Sequence, residues 1–294
     1  MSINKNILLP GAGNKPIALD IFYKDGSSAT EVTASKAKLS PLYPVVIYAH
    51  GFNGFKDWGN FDIIARRFSD SGFVLVKFNF SHNGTSPAHP EEFVDLKAFG
   101  NNNYTKELED LQCVTDWVCD AQNPHRGAMD TDRIYLIGHS MGGGIAILQA
   151  ARDPRVKMLI TWAAVSECKT PWGNWPEEKM QEWKRSGVQF YLNGRTKQEM
   201  PLYYQLYEDY VQHTEQLNIE KAIQRLNIPI LICHGSLDAA VTVEKAHLLQ
   251  SWQPAAQLFI VESDHVFGRK HPWEEEGLPG AMEEVLAECI RFLG

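Results

Sequence analysis

Six short apolar runs alternate with amphipathic stretches along most of the chain. The runs are rich in β-branched and aromatic residues, as is typical of strands covered on both faces, and span residues 45–50, 73–78, 133–137, 157–163, 229–234 and 257–261. Helix-like spacing of apolar residues occurs over residues 104–120, 141–152, 242–252 and 280–293. This alternation predicts an α/β fold with a doubly wound, mostly parallel sheet of about eight strands, whose active site lies at the carboxyl ends of the strands.

The size and charge of the chain restrict its class. We expect a single domain over residues 1–294. The net charge of −8 argues against a nucleic acid or an anionic membrane as partner. The five cysteines form no CxxC pair, which is typical of free thiols in a reducing compartment. No signal pattern begins the chain, and no apolar run approaches the roughly 20 residues of a membrane span, so we expect a cytoplasmic protein. A homodimer is one of the assemblies open to a chain of this kind.

Two segments depart from the alternation. Residues 24–44 are rich in Ser, Thr, Ala and Lys and are predicted to form a flexible surface loop. Residues 166–227 lack a strong strand pattern, and we interpret them as a cap inserted after the sixth strand and folded over the edge of the sheet. Local signals in this cap predict a helix, a type I′ hairpin turn and two further helices, at residues 175–187, at Asn193-Gly194, after Pro201 and from Asn218 onward.

The segment Gly138-His-Ser140-Met-Gly142 lies where a predicted strand runs directly into a predicted helix. A serine in such a turn presents its hydroxyl at the helix N-terminus, and glycines flank it because side chains would collide in so sharp a bend. The pentapeptide is short enough to occur by chance, so the alternative is a glycine-rich turn whose serine has no catalytic role. The strand–turn–helix context makes Ser140 the candidate nucleophile.

A candidate acid and a candidate base follow Ser140 in the order Asp, His, which is the chain order of this type of catalytic triad. Asp238 lies four residues past the predicted strand at 229–234, and His265 lies four residues past the strand at 257–261. Both positions are loops at the carboxyl ends of strands. We therefore predict Asp238 as the orienting acid and His265 as the general base.

Other acids and histidines remain open as alternatives. Asp264 is a second candidate acid, although its side chain is expected to point away because it is adjacent to His265 in sequence. His82 and His89 lie in a loop that could border the site, where a surface position is favoured.

Two backbone amides are predicted to form an oxyanion hole, because a tetrahedral acyl intermediate needs two donors aimed at its oxygen. They are the amide of Phe52, directly after the strand at 45–50, and that of Met141, directly after Ser140. An ordinary tight turn is the alternative for the Phe52 segment. Trp162, at the end of a strand, is a candidate wall of the substrate pocket, and a core position fits it equally well.

The motifs HGFNGFKDWG, GHSMGGG, HGSLD and SDHVFG, in this order, resemble those of α/β-hydrolases of the cinnamoyl/feruloyl-esterase and prolyl-oligopeptidase-like groups, which are related to dienelactone hydrolases. The resemblance covers roughly residues 45–294. It implies a cap at the position predicted above and cleavage of esters of aromatic acids. True dienelactone hydrolases use a cysteine nucleophile where this chain has Ser140, and peptidase relatives usually carry an extra domain such as a propeller.

The residues and the resemblance together predict a serine esterase that cleaves a small-molecule carboxylic ester through an acyl-enzyme on Ser140. No cofactor and no metal is expected, since no ligand cluster is visible in the sequence. Three alternatives remain, which are a thioesterase or amidase with the same triad, a small peptidase, and a non-catalytic binding protein of the same fold.

Overall fold

The computed structural model describes residues 1–24 and 41–294 of the chain. The loop predicted over residues 24–44 falls for the most part outside the described residues. Within them, the strands are β1 Ser2–Pro10, β2 Pro16–Tyr23, β3 Tyr43–Ala49, β4 Val74–Asn79, β5 Met129–His139, β6 Val156–Trp162, β7 Val188–Leu192, β8 Glu199–Tyr203, β9 Ile230–Gly235 and β10 Gln257–Val261.

Eight of these strands form one sheet in the order β1-β2-β4-β3-β5-β6-β9-β10. Neighbouring strands from β4 to β10 are parallel, whereas β2 is antiparallel to both β1 and β4. The predicted eight-stranded, mostly parallel sheet is therefore confirmed. The six predicted strands correspond to β3, β4, β5, β6, β9 and β10, whereas β1 and β2 were not predicted.

Helices cover both faces of the sheet. In the described residues they are α1 Phe61–Asp70, α2 Leu96–Gly100, α3 Tyr104–Cys119, α4 Met141–Arg152, α5 Glu177–Ser186, α6 Gln205–Gln212, α7 Ile219–Gln224, α8 Glu244–Trp252 and α9 Gly280–Leu293. Apolar residues of α3, α4 and α8 pack in the core on one face, and those of α1 and α9 pack on the other. None of these helices combines the length and apolarity needed to cross a membrane.

The segment between β6 and β9 contains α5, the antiparallel pair of β7 and β8, α6 and α7. Its three predicted helices are confirmed, and Gly187 ends α5 in a left-handed conformation with φ of 74°. Asn218 begins α7 by accepting a hydrogen bond from the Lys221 amide at 2.9 Å. Buried Trp183 donates its indole N–H to the Leu202 carbonyl at 2.7 Å, which fixes α5 against the hairpin.

The predicted type I′ turn at Asn193-Gly194 is wrong. The connecting loop has six residues instead of two, because Leu192 pairs with Glu199 and residues 193–198 form the loop. The Asn193 side chain accepts from the amides of Arg195 and Thr196, at 2.9 and 3.1 Å, and so folds the loop as an Asx turn. This side-chain interaction competes with the tight turn that the dipeptide favours.

Candidate active site

Ser140 lies in a sharp turn between β5 and α4. Its φ of 55° is in the left-handed region, which costs a non-glycine residue about 1–3 kcal/mol when the fold enforces it. A Cβ atom on Gly138 would lie 2.2 Å from the Gly142 carbonyl oxygen, and one on Gly142 would lie 2.3 Å from the His50 carbonyl oxygen. The flanking glycines are therefore required by close backbone packing, as the sequence predicted for an elbow of this kind.

Asp238 lies in the turn after β9, and its side chain is buried. Its Oδ1 accepts from the amides of Ala240 and Val241, both at 2.9 Å. Its Oδ2 lies 2.7 Å from His265 Nδ1 and 3.2 Å from His234 Nε2. Burial alone would raise the pKa of this carboxyl group, but the contacts with His234 and His265 outweigh it and hold the pKa well below its usual range.

His265 lies in the loop after β10, and it lines two cavities together with Ser140. Its carbonyl oxygen is 3.0 Å from His139 Nε2, and the two imidazole rings are 4.8 Å apart. Burial, and then the nearby His265 and Arg269, lower the pKa of His139 well below its usual value, so this neighbour is neutral. In the described part of the chain no hydrogen bond joins the Ser140 hydroxyl to His265, a contact that often tightens only when substrate is bound.

The alternative acid and the alternative histidines lie elsewhere. Asp264 Oδ1 accepts from the amides of Val266 and Gly268, at 3.1 and 2.8 Å, so this carboxylate caps its own turn. His89 is exposed, whereas His82 is buried, contrary to the surface position favoured for it. Neither His82 nor His89 belongs to the walls of the two cavities.

The loop after β3 passes directly against Ser140. A Cβ atom on Gly51 would lie 2.9 Å from the Ser140 Cβ, so only glycine allows this approach. Phe52 follows and lines both cavities with Ser140. Met141 is the first residue of α4, where backbone amides have no partner within the helix. The structure thus brings both predicted oxyanion-hole residues next to Ser140.

A buried lysine anchors the continuation of this loop, and the sequence analysis did not find it. Lys56, which is 1% exposed, donates its backbone amide to Asn79 Oδ1 at 2.7 Å. Its ammonium group contacts Asp20 on β2 at 2.7 Å and Asp57 at 2.5 Å. A buried charge is stable only when it is paired in this way, so the network fixes the loop that begins at Phe52.

Lys77 of β4 completes the same network through ion pairs with Asp57 and Asp62 and a longer one with Asp20 at 3.5 Å. Burial lowers the pKa of Lys77, but the three carboxylates outweigh it and raise the pKa. Carboxylate oxygens of Asp20, Asp57 and Asp62 lie within 4.8 Å of one another, as metal ligands would. The ammonium groups of Lys56 and Lys77 already occupy these carboxylates, so the donor set does not suit a metal ion.

Two cavities meet at Ser140. Residues Phe52, Asn53, Ser140 and His265 line both of them. The smaller, of about 200 Å³, has further walls from Tyr48, His50, Gly51, Gly54, Phe55, Trp58, His139, Val266 and Arg269. The larger, of about 550 Å³, has further walls from Val165, Ser166, Glu167, Lys169, Thr170, Pro171, Gly173, Asn174, Tyr191, Ala240, Val241, Thr242 and Lys245. The predicted cap segment therefore forms one side of the larger cavity.

Trp162 is a core residue, so of the two placements left open for it the core position is correct and the pocket wall is wrong. Its side chain is fully buried and belongs to the walls of neither cavity. The ring packs against Tyr48, Phe61 and Phe267, with centroid distances of 5.8, 6.2 and 6.4 Å. Its indole N–H donates to Cys289 Sγ at 3.3 Å, on the face of the sheet covered by α9.

Arg269 and Tyr191 line the cavities, and neither was predicted as a site residue. Arg269 is 3% exposed and packs over Trp58 at 5.5 Å, and its Nη1 has no hydrogen-bond partner among the described residues. Tyr191 of β7 contacts the Phe52 ring at 5.8 Å. The only signal for Arg269 was its position four residues after His265, and none pointed to Tyr191.

Comparison with known proteins agrees with this fold. The α/β hydrolase fold family matches residues 44–195, just over half of the chain. An uncharacterized 31.7 kDa protein from the traX-finO intergenic region of Escherichia coli is 27% identical over 125 residues, 42% of this chain and 38% of that protein. The quorum-quenching protein AidA of Acinetobacter baumannii is 26% identical over 125 residues, 42% of this chain and 35% of that protein.

The chain thus aligns with less than half the length of these two relatives. Among solved structures, Est1E of Butyrivibrio proteoclasticus with bound ferulic acid superposes with a TM-score of 0.63 at 18% identity, over 98% of this chain and 97% of that one. A likeness at this identity establishes a shared fold.

Proposed function

The chain belongs to the α/β hydrolase fold family, and on that premise we propose that it is a serine hydrolase that cleaves carboxylic esters of small molecules. The observation that carries the proposal is the hydrogen bond of 2.7 Å between His265 Nδ1 and Asp238 Oδ2, beside two cavities that His265 shares with Ser140. An acid–imidazole pair beside a serine in a strand–helix turn has the composition of a catalytic triad.

In the proposed mechanism Ser140 attacks the ester carbonyl carbon, and His265 takes the hydroxyl proton as the bond forms. Asp238 is suited to its role because its low pKa keeps it ionised. It holds the proton on His265 Nδ1, which leaves Nε2 free to act as the base. The proton on Nε2 then passes to the leaving alcohol. A water molecule that His265 activates hydrolyses the acyl-enzyme and restores Ser140.

The amides of Phe52 and Met141 would stabilise the negative oxygen of both tetrahedral intermediates. The approach of Gly51 to Ser140 supports the Phe52 assignment, because it brings this segment of backbone to the nucleophile. The buried pairing of Lys56 with Asp20 supports it as well, since it makes the loop rigid before substrate arrives. Preorganised donors of this kind stabilise the transition state without reorganisation.

The two cavities suggest how an ester is seated. We place the acyl group in the smaller cavity, whose aromatic walls include Tyr48, Phe55 and Trp58, and the leaving alcohol in the larger one. Apolar walls favour an apolar or aromatic acyl group. The ferulic acid bound to Est1E, a protein of the same fold, makes esters of hydroxycinnamic acids a reasonable first class to test.

A panel of 4-nitrophenyl esters of increasing acyl length, together with ethyl ferulate, tests the proposal. We expect turnover by the wild-type protein, none above background by Ser140→Ala, and unchanged turnover by Ser251→Ala, whose hydroxyl is on the exposed surface of α8. Equal turnover by wild type and Ser140→Ala would reject the proposal.

The same panel separates the alternatives. Thioester and anilide versions of the best ester would reveal a thioesterase or an amidase, because the triad chemistry is shared and only the leaving group differs. Short peptides test a peptidase in the same way. Binding of an ester without any turnover by wild type would indicate a non-catalytic protein.

A further inference from the structure

A second histidine contacts the acid of the proposed triad. His234, near the end of β9, is fully buried, and its Nε2 lies 2.7 Å from the Val241 carbonyl oxygen and 3.2 Å from Asp238 Oδ2. Both partners are acceptors, so the proton of this imidazole must be on Nε2. Its Nδ1 is buried without any hydrogen-bond partner in the described part of the chain.

This contact adds to the hydrogen bonding of Asp238. A carboxylate has room for about four donors, and Asp238 accepts three hydrogen bonds, from the amides of Ala240 and Val241 and from the imidazole of His265. His234 Nε2, which donates to the Val241 carbonyl, lies 3.2 Å from the remaining side of Oδ2. Val241 gives its amide to Asp238 and takes the proton of His234 on its carbonyl. The side chains of His234 and Asp238 and the Val241 peptide therefore form a closed ring of contacts that fixes Asp238 Oδ2.

The unpartnered Nδ1 indicates that His234 does more than fill space in the core. An aromatic or aliphatic side chain would fill the same space without leaving a buried nitrogen unsatisfied, which is destabilising. The geometry therefore uses His234 as a donor from Nε2.

We propose that His234 is a positioning residue that acts through Asp238, orienting Oδ2 toward His265 and sharing the negative charge of the carboxylate. This inference rests on the proposed triad. Removing the Nε2 donor leaves more of that charge on the bond to His265, which favours the imidazolium form of the base. Two other titratable groups interact electrostatically with these residues: His139 with Asp238, and Glu244 with His234.

Two variants test the role on the best ester of the panel. His234→Phe keeps a ring and removes the donor, and His234→Gln keeps an amide N–H at a similar reach. For His234→Phe we expect kcat to fall about 10- to 100-fold with a much smaller change in KM, and the acid limb of the kcat/KM profile to move to higher pH. His234→Gln should restore most of kcat and the wild-type acid limb.

His247→Gln is the matched control, since His247 is exposed on α8 and is expected to leave both quantities unchanged. A folded His234→Phe variant with wild-type kcat and an unmoved acid limb would overturn the inference. If Ser140→Ala and Asp238→Asn still abolish turnover in the same assays, the triad stands and only the role of His234 fails.

A measurement on the wild-type protein covers the case in which His234→Phe does not fold. Nitrogen-15 NMR of labelled histidines distinguishes the two neutral tautomers. We expect the neutral form of His234 to carry its proton on Nε2 and none on Nδ1. A neutral His234 protonated on Nδ1 contradicts the proposed donor.

Discussion

Asn193 in the loop between β7 and β8 donates a hydrogen bond from its side-chain amide to the side chain of Asn53, at 2.9 Å. Asn53 directly follows Phe52, in the loop that passes against Ser140, and it has a left-handed φ of 60°. The contact therefore joins the predicted cap to the proposed oxyanion hole. It gives the cap a way to hold that loop in place.

Replacing Asn193, the residue that the cap contributes to this contact, should weaken catalysis. Asn193→Ser keeps a hydroxyl that can still fold its own loop, but it is too short to reach Asn53. We expect kcat/KM for the best ester to fall by about 3- to 10-fold, equivalent to one lost hydrogen bond of about 1 kcal/mol. Asn218→Ser, a replacement of one helix-capping residue by another, should have no effect. Equal rates for the two variants would mean that the contact does not support the loop.

The acid can be assigned by comparing two neighbouring aspartates. We expect Asp238→Asn to lower kcat by about 10³- to 10⁴-fold, because an amide cannot stabilise the imidazolium form of His265. Asp264→Asn should leave kcat nearly unchanged, since an asparagine Oδ1 can still accept from the amides of Val266 and Gly268. Steady-state kinetics on the same ester measures both. The reverse pattern would reassign the acid.

The buried ion network should contribute strongly to stability. Lys77→Met leaves the buried carboxylate of Asp20, together with Asp57 and Asp62, short of one cation. We expect the free energy of unfolding in urea to fall by about 3–5 kcal/mol. Lys157→Met removes an exposed ammonium group that has no carboxylate partner among the described residues, and it should change stability by less than about 0.5 kcal/mol. A similar small change in both variants would contradict the network's role.

Glu107 on α3 should make stability fall as the pH rises. Burial raises its pKa from 4.5 to about 8, so the folded protein keeps this proton between those values while the unfolded chain has released it. The resulting stabilisation is complete below pH 4.5 and is lost as the pH passes 8. Asp110, whose pKa burial raises to about 6, adds an effect of the same sign at lower pH.

Glu107→Gln removes this titration. We expect the melting temperature of the variant, relative to wild type, to rise from pH 5 and to level off above about pH 8. Glu109→Gln, an exposed change on the same helix, should follow the wild-type curve. Parallel curves for Glu107→Gln and wild type would show that this carboxyl group is not protonated in the folded state.

The arrangement of Ser140, Asp238 and His265 could be predicted because it depends on local pattern. Parallel strands end at the same edge of a sheet, so loops that follow β5, β9 and β10 must lie close together. The order of the strands did not need to be known in detail. The apolar pattern of these central strands is continuous because both of their faces are buried.

Features that depend on distant partners could not be predicted. Strand β2 was missed because it carries Asp20, and the lysines that neutralise this buried carboxylate come from β4 and from the loop after β3. The turn at Asn193 was misjudged because its side chain folds the loop and contacts Asn53. Trp162 could not be assigned to pocket or core, since that depended on which face of the sheet α9 covers.

The most direct test of the proposed chemistry is to trap the acyl-enzyme. Wild-type protein mixed with a 4-nitrophenyl ester should release a burst of nitrophenol, and acid quenching followed by peptide mass mapping should find the acyl group on Ser140. Asp238→Asn should slow the burst, and Ser140→Ala should abolish it. Hydrolysis by the wild-type protein with no acyl group on Ser140, or with the acyl group on another residue, would contradict the assignment of Ser140 as the nucleophile.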